Sequence, residues 1–186
     1  MIVSAGNQEA FPFAVPIGIG MIESTINLTR LCLFDRPDYL IFIGSAGSYG
    51  DHKIFDIVEA SASANIELSF LTNESYTPID NLIKCQRNLS GNNIIVNSSN
   101  YISTSTTAKE FMNFGITLEN MEFYSVMKVA QEFDIDVLGI FVVTNYANQS
   151  AHADFIKNHS IAMEKLIGYL EKKNLIVPHG TTKDKV

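Results

Sequence analysis

The sequence predicts an α/β domain in which helices flank a mixed central β-sheet. Two continuous apolar runs, at residues 39–43 and 136–143, are typical of strands that are buried on both faces. Segments with apolar residues at helical spacing alternate with strands along most of the chain. Consecutive strands between residues 54 and 70 favour a mixed sheet over a strictly parallel one.

The elements can be predicted in order along the chain. Strands at 2–4 and 13–15 lead to Gly18-Ile19-Gly20, and the apolar periodicity then predicts a helix over 21–34 that Arg36-Pro37 ends. The buried run at 39–43 ends in a Gly-Ser-Ala-Gly loop at 44–47. Further on we predict strands within 54–70, at 93–96, 116–118 and 136–143, and helices over 78–88, 107–114, 121–133 and 154–172.

Composition limits the classes of function. The 186 residues fit one domain, which we place at 1–177, followed by a polar and flexible tail at 178–186. A net charge of -7 disfavours a nucleic-acid-binding face and attachment to an anionic membrane. The start lacks the basic and long apolar regions of a signal peptide, and no apolar stretch is long enough to span a membrane. We therefore expect a cytoplasmic protein with no nucleic-acid or membrane partner.

The metal-ligating residue types are scattered along the chain. Cys32 and Cys85 are isolated from each other, and none of the four histidines has the spacing of a metal site. We interpret the cysteines as small apolar residues and expect neither a disulfide nor a metal. No cofactor is implied.

Four polar patches lie at predicted strand ends or helix starts, at residues 5–9, 44–47, 119–122 and 144–148. Glycine-rich turns and helix N-termini present backbone N–H groups to ligands, so these patches are candidate binding segments. Each has a structural alternative. The glycines at 44–47 are compatible with a tight turn, and Glu122 with a carboxylate that complements a helix dipole.

The order of these motifs resembles that of a known family. The matching stretches are residues 4–9, 18–20, 44–47, 55–58, 120–122 and 144–145. Together they resemble the 5'-methylthioadenosine/S-adenosylhomocysteine nucleosidases and the related purine and uridine phosphorylases, over about residues 1–173. The resemblance implies a nucleoside phosphorylase-like three-layer sandwich. It also implies a small-molecule purine nucleoside or purine base as ligand, and a homodimer.

The resemblance assigns roles to individual residues. Glu122 corresponds to the carboxylate that binds the ribose hydroxyls, and Met121 to the residue that packs under the ribose. Glu9 corresponds to the base that activates the attacking water, and Ser45 lies near that water or a phosphate. The remaining implied substrate contacts are Ile19 in the 5'-substituent pocket, Tyr101 stacked on the purine, Ile102 at the base edge, and Ala46, Gly47, Asn120 and Thr144.

This sequence departs from the family pattern at four positions. Asn145 stands where the family has a catalytic aspartate; an amide can donate a hydrogen bond to purine N7 but has no proton to transfer. Asn120 replaces a family glutamate. Phe141 and Ile43 stand where arginines hold the water or the phosphate, and a phosphate dianion needs fixed positive charge.

Three hypotheses follow from these matches and departures. The leading one is hydrolysis of the N-glycosidic bond in a nucleoside of the 5'-methylthioadenosine/S-adenosylhomocysteine type, with Glu9 and Asn145 as the catalytic pair. The first alternative is a purine nucleoside phosphorylase, for example one for 6-oxopurines. The second is a non-catalytic relative that binds a purine or a nucleoside.

Overall fold

The computed structural model describes residues 1–104 and 108–177. It contains a nine-stranded mixed sheet flanked by helices, which confirms the predicted fold class. The predicted tail at 178–186 lies outside the described residues. Among the residues that are described, no helix combines the length and the apolar character that a membrane span requires.

The sheet is built around two long central strands. β3 (Tyr39–Ser48) and β9 (Asp136–Tyr146) run parallel and pair along their whole length. The other strands are β1 (Ile2–Ser4), β2 (Val15–Pro16), β4 (Ile57–Ala60), β5 (Ala62–Ala64), β6 (Leu82–Lys84), β7 (Ile95–Ser98) and β8 (Ile116–Asn120). Their order is β2-β1-β3-β8-β7-β5-β6, and β9 lies on the other side of β3, between β3 and β4.

Helices cover both faces of the sheet. The helices are α1 (Gly20–Phe34), α2 (Leu68–Leu71), α3 (Ala108–Asn113), α4 (Phe123–Glu132) and α5 (Ala151–Lys172). Because side chains alternate along a strand, Leu40 and Phe42 pack into one core with α1 and α4, whereas Ile41 and Ile43 pack into a second core with α5. The two apolar runs are therefore strands buried on both faces, as predicted.

One edge of β3 is covered by two different strands, with a gap between them. β1 pairs with Ile41 and Phe42, and β8 pairs antiparallel with Gly47 and Ser48. Between these two pairings, the N–H and the carbonyl of Ser45 form hydrogen bonds with side chains instead of with a neighbouring strand. At this gap the side chains of Glu9 and Asn120 meet the backbone of Ser45.

Two predictions about secondary structure are wrong. Residues 44–47 are not a loop but continue β3, because β9 pairs with them in parallel, with a bulge between Ala46 and Gly47. The helix predicted over 78–88 is absent, and β6 occupies its centre. Ile83 is buried there by antiparallel pairing with β5, and this tertiary contact outweighs the local helical spacing.

Candidate active site

A pocket of about 250 Å³ lies at the gap beside β3. It collects side chains from segments that are far apart in the sequence, because β1, β3, β8 and β9 all direct their ends to this region. Its lining residues are Ala5, Gly6, Asn7, Gln8, Glu9, Ile19, Ser45, Ala46, Gly47, Tyr101, Ile102, Glu119, Asn120, Met121, Glu122, Asn145, Ala151, His152 and Phe155.

Glu9 is fixed to β3 through Ser45. Its Oε1 accepts hydrogen bonds from the Ser45 N–H, at 2.9 Å, and from the Ser45 hydroxyl. Gly44 leaves room for this carboxylate, since a Cβ at that position would lie 2.8 Å from Glu9 Oε2. Burial raises the pKa of Glu9, and the hydrogen bonds from Ser45 oppose the shift. A carboxylate with a raised pKa is suited to accept a proton near neutral pH.

Glu122 is buried and sits against the start of α1. Its Oε1 accepts a hydrogen bond of 2.8 Å from the Gly20 N–H, a group that no residue within α1 can satisfy. Burial raises the pKa of Glu122 to about 7; the Gly20 hydrogen bond lowers it, and the charge of Glu9 raises it further. Glu9 and Glu122 therefore face the same pocket closely enough to interact electrostatically.

Asn120 positions its neighbours in the wall of the pocket. Its Oδ1 accepts 2.9 Å hydrogen bonds from the N–H groups of Glu122 and Phe123, so it caps the first turn of α4. Its Nδ2 donates to the Ser45 carbonyl at 3.1 Å. Asn120 thus connects the segment that carries Glu122 to the segment that holds Glu9.

Asn145 lines the pocket, and its Nδ2 donates a 3.2 Å hydrogen bond to the Tyr146 carbonyl. Its Oδ1 accepts a 2.9 Å hydrogen bond from the Thr144 hydroxyl, and its Nδ2 lies 3.0 Å from where a Cβ on Gly47 would be. Thr144, which the resemblance also implies as a substrate contact, is fully buried and is not among the lining residues. Its hydroxyl lies behind the wall and orients Asn145 from there.

Glu119 is a lining carboxyl group that the sequence did not single out. Its Oε1 accepts a hydrogen bond of 3.2 Å from the Ser103 N–H, and its Oε2 accepts one of 3.1 Å from the Tyr49 hydroxyl. Burial raises the pKa of Glu119, and both hydrogen bonds oppose the shift. The alternation of side chains along β8, with Leu118 in the core, is the signal that points Glu119 to the opposite face.

The outer part of the pocket is apolar and open. Ile19, Tyr101 and Ile102 all line it, yet they are 48%, 82% and 47% exposed. Phe155 and His152 approach from the first turns of α5. Asn7 lies in the predicted patch at 5–9, whereas His152 and Phe155 meet the other lining residues only through the tertiary fold.

Within the part of the chain that the structure describes, the lining residues include three carboxyl groups and no arginine or lysine. Phe141 and Ile43, the positions compared with family arginines, are fully buried in the two cores. Phe141 stacks edge-on against Phe123, with 5.0 Å between ring centroids. Neither position reaches the pocket. Among the described residues, no group of three or more His, Cys, Asp or Glu could hold a metal ion.

The comparisons with known proteins agree with this architecture. Residues 94–172 match the family model of the phosphorylase superfamily, whereas no curated protein matches the sequence of the chain. A mutant of the Helicobacter pylori 5'-methylthioadenosine/S-adenosylhomocysteine nucleosidase, solved with 5'-methylthioadenosine in its active site, superposes with a TM-score of 0.76 at 18% identity, covering 94% of this chain and 97% of that one.

Two further enzymes have the same fold. The futalosine hydrolase of Helicobacter pylori superposes with a TM-score of 0.70 at 19% identity, over 91% of this chain and 98% of that one. The Streptococcus pneumoniae nucleosidase, solved with 8-aminoadenine, has a TM-score of 0.68 at 16% identity, over 91% and 97% of the two chains. At these identities the similarity shows the fold, and the fold is the nucleoside phosphorylase-like sandwich that the sequence predicts.

Proposed function

We propose that this chain hydrolyses the N-glycosidic bond of a purine nucleoside; its fold and the match of residues 94–172 to the phosphorylase superfamily model support the proposal. The observation that carries this proposal is the set of buried and partly buried carboxyl groups around a pocket that no described arginine or lysine lines. These groups suit a reaction in which the sugar becomes cationic and the nucleophile is a neutral water.

Glu122 stabilises the sugar as the bond to the base breaks. In its ionised form the carboxylate accepts hydrogen bonds from the ribose hydroxyls, and it binds the sugar more strongly as positive charge develops. The Gly20 N–H at 2.8 Å holds the carboxylate at the start of α1, where the helix dipole favours the ionised form. Met121 lies beside it and packs under the ribose.

Glu9 activates the water. Its Oε1 is occupied by Ser45, so its Oε2 is the oxygen that remains to accept a proton from a water in the pocket. As the water attacks the anomeric carbon, it loses that proton to Glu9 and forms the free sugar. Asn145 donates its amide N–H to a ring nitrogen of the base, such as purine N7.

The charge of the pocket supports hydrolysis over phosphorolysis. A phosphate dianion would have to enter beside Glu9 and Glu122, where the described residues provide no lining arginine or lysine, and like charges repel strongly in a partly desolvated site. The apolar outer pocket of Ile19, Tyr101 and Phe155 supports a substrate with an apolar 5'-substituent, and 5'-methylthioadenosine and S-adenosylhomocysteine are our first candidates. The exposed Tyr101 and Ile102 also support a homodimer, in which a second copy would cover them.

A panel of nucleosides tests the proposal. The purified chain is incubated with 5'-methylthioadenosine, S-adenosylhomocysteine, adenosine and inosine, each with and without phosphate, and the released base is measured by chromatography. We expect base release that does not depend on phosphate and that Glu122→Gln reduces strongly. Release only with phosphate would favour a phosphorylase, and purine binding without turnover would favour a non-catalytic relative.

A further inference from the structure

The pocket contains a third carboxyl group, Glu119, that the hydrolysis described above does not use. Glu9 is tied to Ser45 and Glu122 to Gly20, so both belong to the part of the pocket proposed for the water and the sugar. Glu119 lies on β8, at the other side of Gly47, where Asn145 also reaches the pocket. The base-binding end therefore has an ionisable group of its own.

The chemistry of the reaction requires a proton at that end. When the bond between the sugar and the base breaks, both electrons go to the base, which leaves readily only if one of its ring nitrogens is protonated. Asn145 cannot supply the proton, since an amide has no transferable proton near neutral pH. A carboxylic acid kept protonated by its surroundings can do so.

The geometry places Glu119 beside the amide that binds the base. Glu119 Oε1 and Asn145 Nδ2 both lie 3.0 Å from the position that a Cβ on Gly47 would occupy. The two groups thus border the same small space, which the glycine leaves open. A ring nitrogen that accepts a hydrogen bond from Asn145 is within reach of this carboxyl group, or of a single intervening water.

We propose that Glu119 is the general acid of the reaction, donating the proton that the leaving base needs; this inference rests on the proposed hydrolysis. In the cleavage step the glycosidic bond breaks, its electron pair passes to the base, and the carboxyl proton of Glu119 moves to a ring nitrogen. Water adds to the sugar and gives one proton to Glu9. Exchange with solvent then returns a proton to Glu119 and removes one from Glu9.

The surroundings of Glu119 support the protonated form. Its carboxyl is partly buried, and burial raises its pKa against the effect of Ser103 and Tyr49. The other ionisable groups that line the pocket, among the described residues, are Glu9, Glu122, His152 and the exposed Tyr101, and the Tyr49 hydroxyl bonds Glu119 itself. His152 is the rival donor, but it is exposed in the first turn of α5, whereas Glu119 shares the gap at Gly47 with Asn145.

Two substrates with different leaving groups separate acid catalysis from a structural role. A purine nucleoside needs a proton on its base, whereas 4-nitrophenyl β-D-riboside releases a stable phenolate without one. We expect Glu119→Gln to reduce kcat for the nucleoside by about 10²- to 10⁴-fold and to leave hydrolysis of the nitrophenyl riboside nearly unchanged. His152→Ala tests the rival donor, and Glu164→Gln, on the exposed side of α5, is the control.

A rescue experiment tests the shared space directly. Asn145→Asp places a carboxyl group at the neighbouring position. We therefore expect the double variant with Glu119→Gln and Asn145→Asp to cleave the nucleoside at least tenfold faster than Glu119→Gln alone. Tyr49→Phe keeps the ring, which stacks on Phe111, but removes a hydrogen bond that lowers the pKa of Glu119. The fall of kcat at high pH should therefore move to higher pH.

Each result decides between distinct outcomes. If Glu119→Gln slows both substrates equally, or neither, or if His152→Ala alone removes the activity toward the nucleoside, Glu119 is not the acid. Those results leave the proposed hydrolysis intact, because the wild-type protein still releases base. If the wild-type protein cleaves neither substrate, the proposed hydrolysis itself fails, and the role of Glu119 fails with it.

Discussion

Glu9 and Ser45 are joined by two hydrogen bonds to a single carboxylate oxygen, although they are 36 positions apart in the sequence. The bonds fill the gap in the sheet edge where neither β1 nor β8 pairs with β3. They do not involve Glu9 Oε2, and they fix the orientation of the carboxylate. A general base needs this kind of fixed orientation toward its water.

The first prediction concerns the base itself. Glu9→Gln keeps the shape and can still accept the hydrogen bonds from Ser45, but it removes the group that takes the proton. We expect kcat to fall by about 10²- to 10⁴-fold with little change in KM. Ser45→Ala removes only one of the two hydrogen-bond donors and should reduce kcat much less. Steady-state kinetics on the best substrate measure both; equal losses in the two variants would mean that Ser45 is itself essential.

The second prediction uses two glycines. A Cβ on Gly44 would lie 2.8 Å from Glu9 Oε2, so Gly44→Ala should displace the carboxylate and reduce kcat on the order of 10²-fold. Gly168→Ala is the matched control, because its Cβ would meet nothing within 4 Å on α5. It should leave kcat unchanged and stabilise the helix by about 0.5–1 kcal/mol. If Gly44→Ala retains full activity, Glu9 does not need its observed position.

The third prediction concerns stability and pH. The pKa of Glu122 is raised from 4.5 to about 7 in the folded protein, so the folded state holds its proton more tightly than the unfolded state. The stability that results is complete below pH 4.5 and is lost as the pH rises through 7. Glu122→Gln, which is never charged, should therefore be more stable than the wild type at pH 8, by up to about 3 kcal/mol.

Denaturant unfolding at pH 5 and pH 8 measures this difference, which should shrink toward the lower pH. Glu132→Gln is the control, since Glu132 is exposed on α4 and bonds Lys128. Glu132→Gln should not be more stable than the wild type at pH 8. A Glu122→Gln variant that is less stable than the wild type at pH 8 would contradict a carboxyl group whose pKa burial raises in the folded protein.

The sequence predicted the parts of the site that lie in continuous motifs. Ser45, Met121 and Glu122 follow from short polar patches next to apolar runs, and the structure brings them to one pocket. Local pattern also predicted the two central strands, because burial on both faces leaves a continuous apolar run. Thr144 lies next to Asn145 in the same motif but is buried behind the wall of the pocket, because adjacent strand residues point to opposite sides.

Other features depend on contacts that no local pattern encodes. Glu119 lies within a predicted patch, but its surroundings are formed by Gly47 on β3, Tyr49 directly after β3, and Asn145 on β9. β6 was mistaken for a helix because its pairing with β5 decides its conformation. His152 reaches the pocket only because α5 starts where β9 ends at the open gap.

The fate of the water tests the central claim most directly. The protein is allowed to cleave its best nucleoside in ¹⁸O-labelled water that contains unlabelled phosphate, and the sugar product is analysed by mass spectrometry and ³¹P NMR. We expect a free sugar with one ¹⁸O at the anomeric position, formed at the same rate with and without phosphate, and lost in Glu9→Gln. A sugar 1-phosphate without the label would contradict hydrolysis at this pocket.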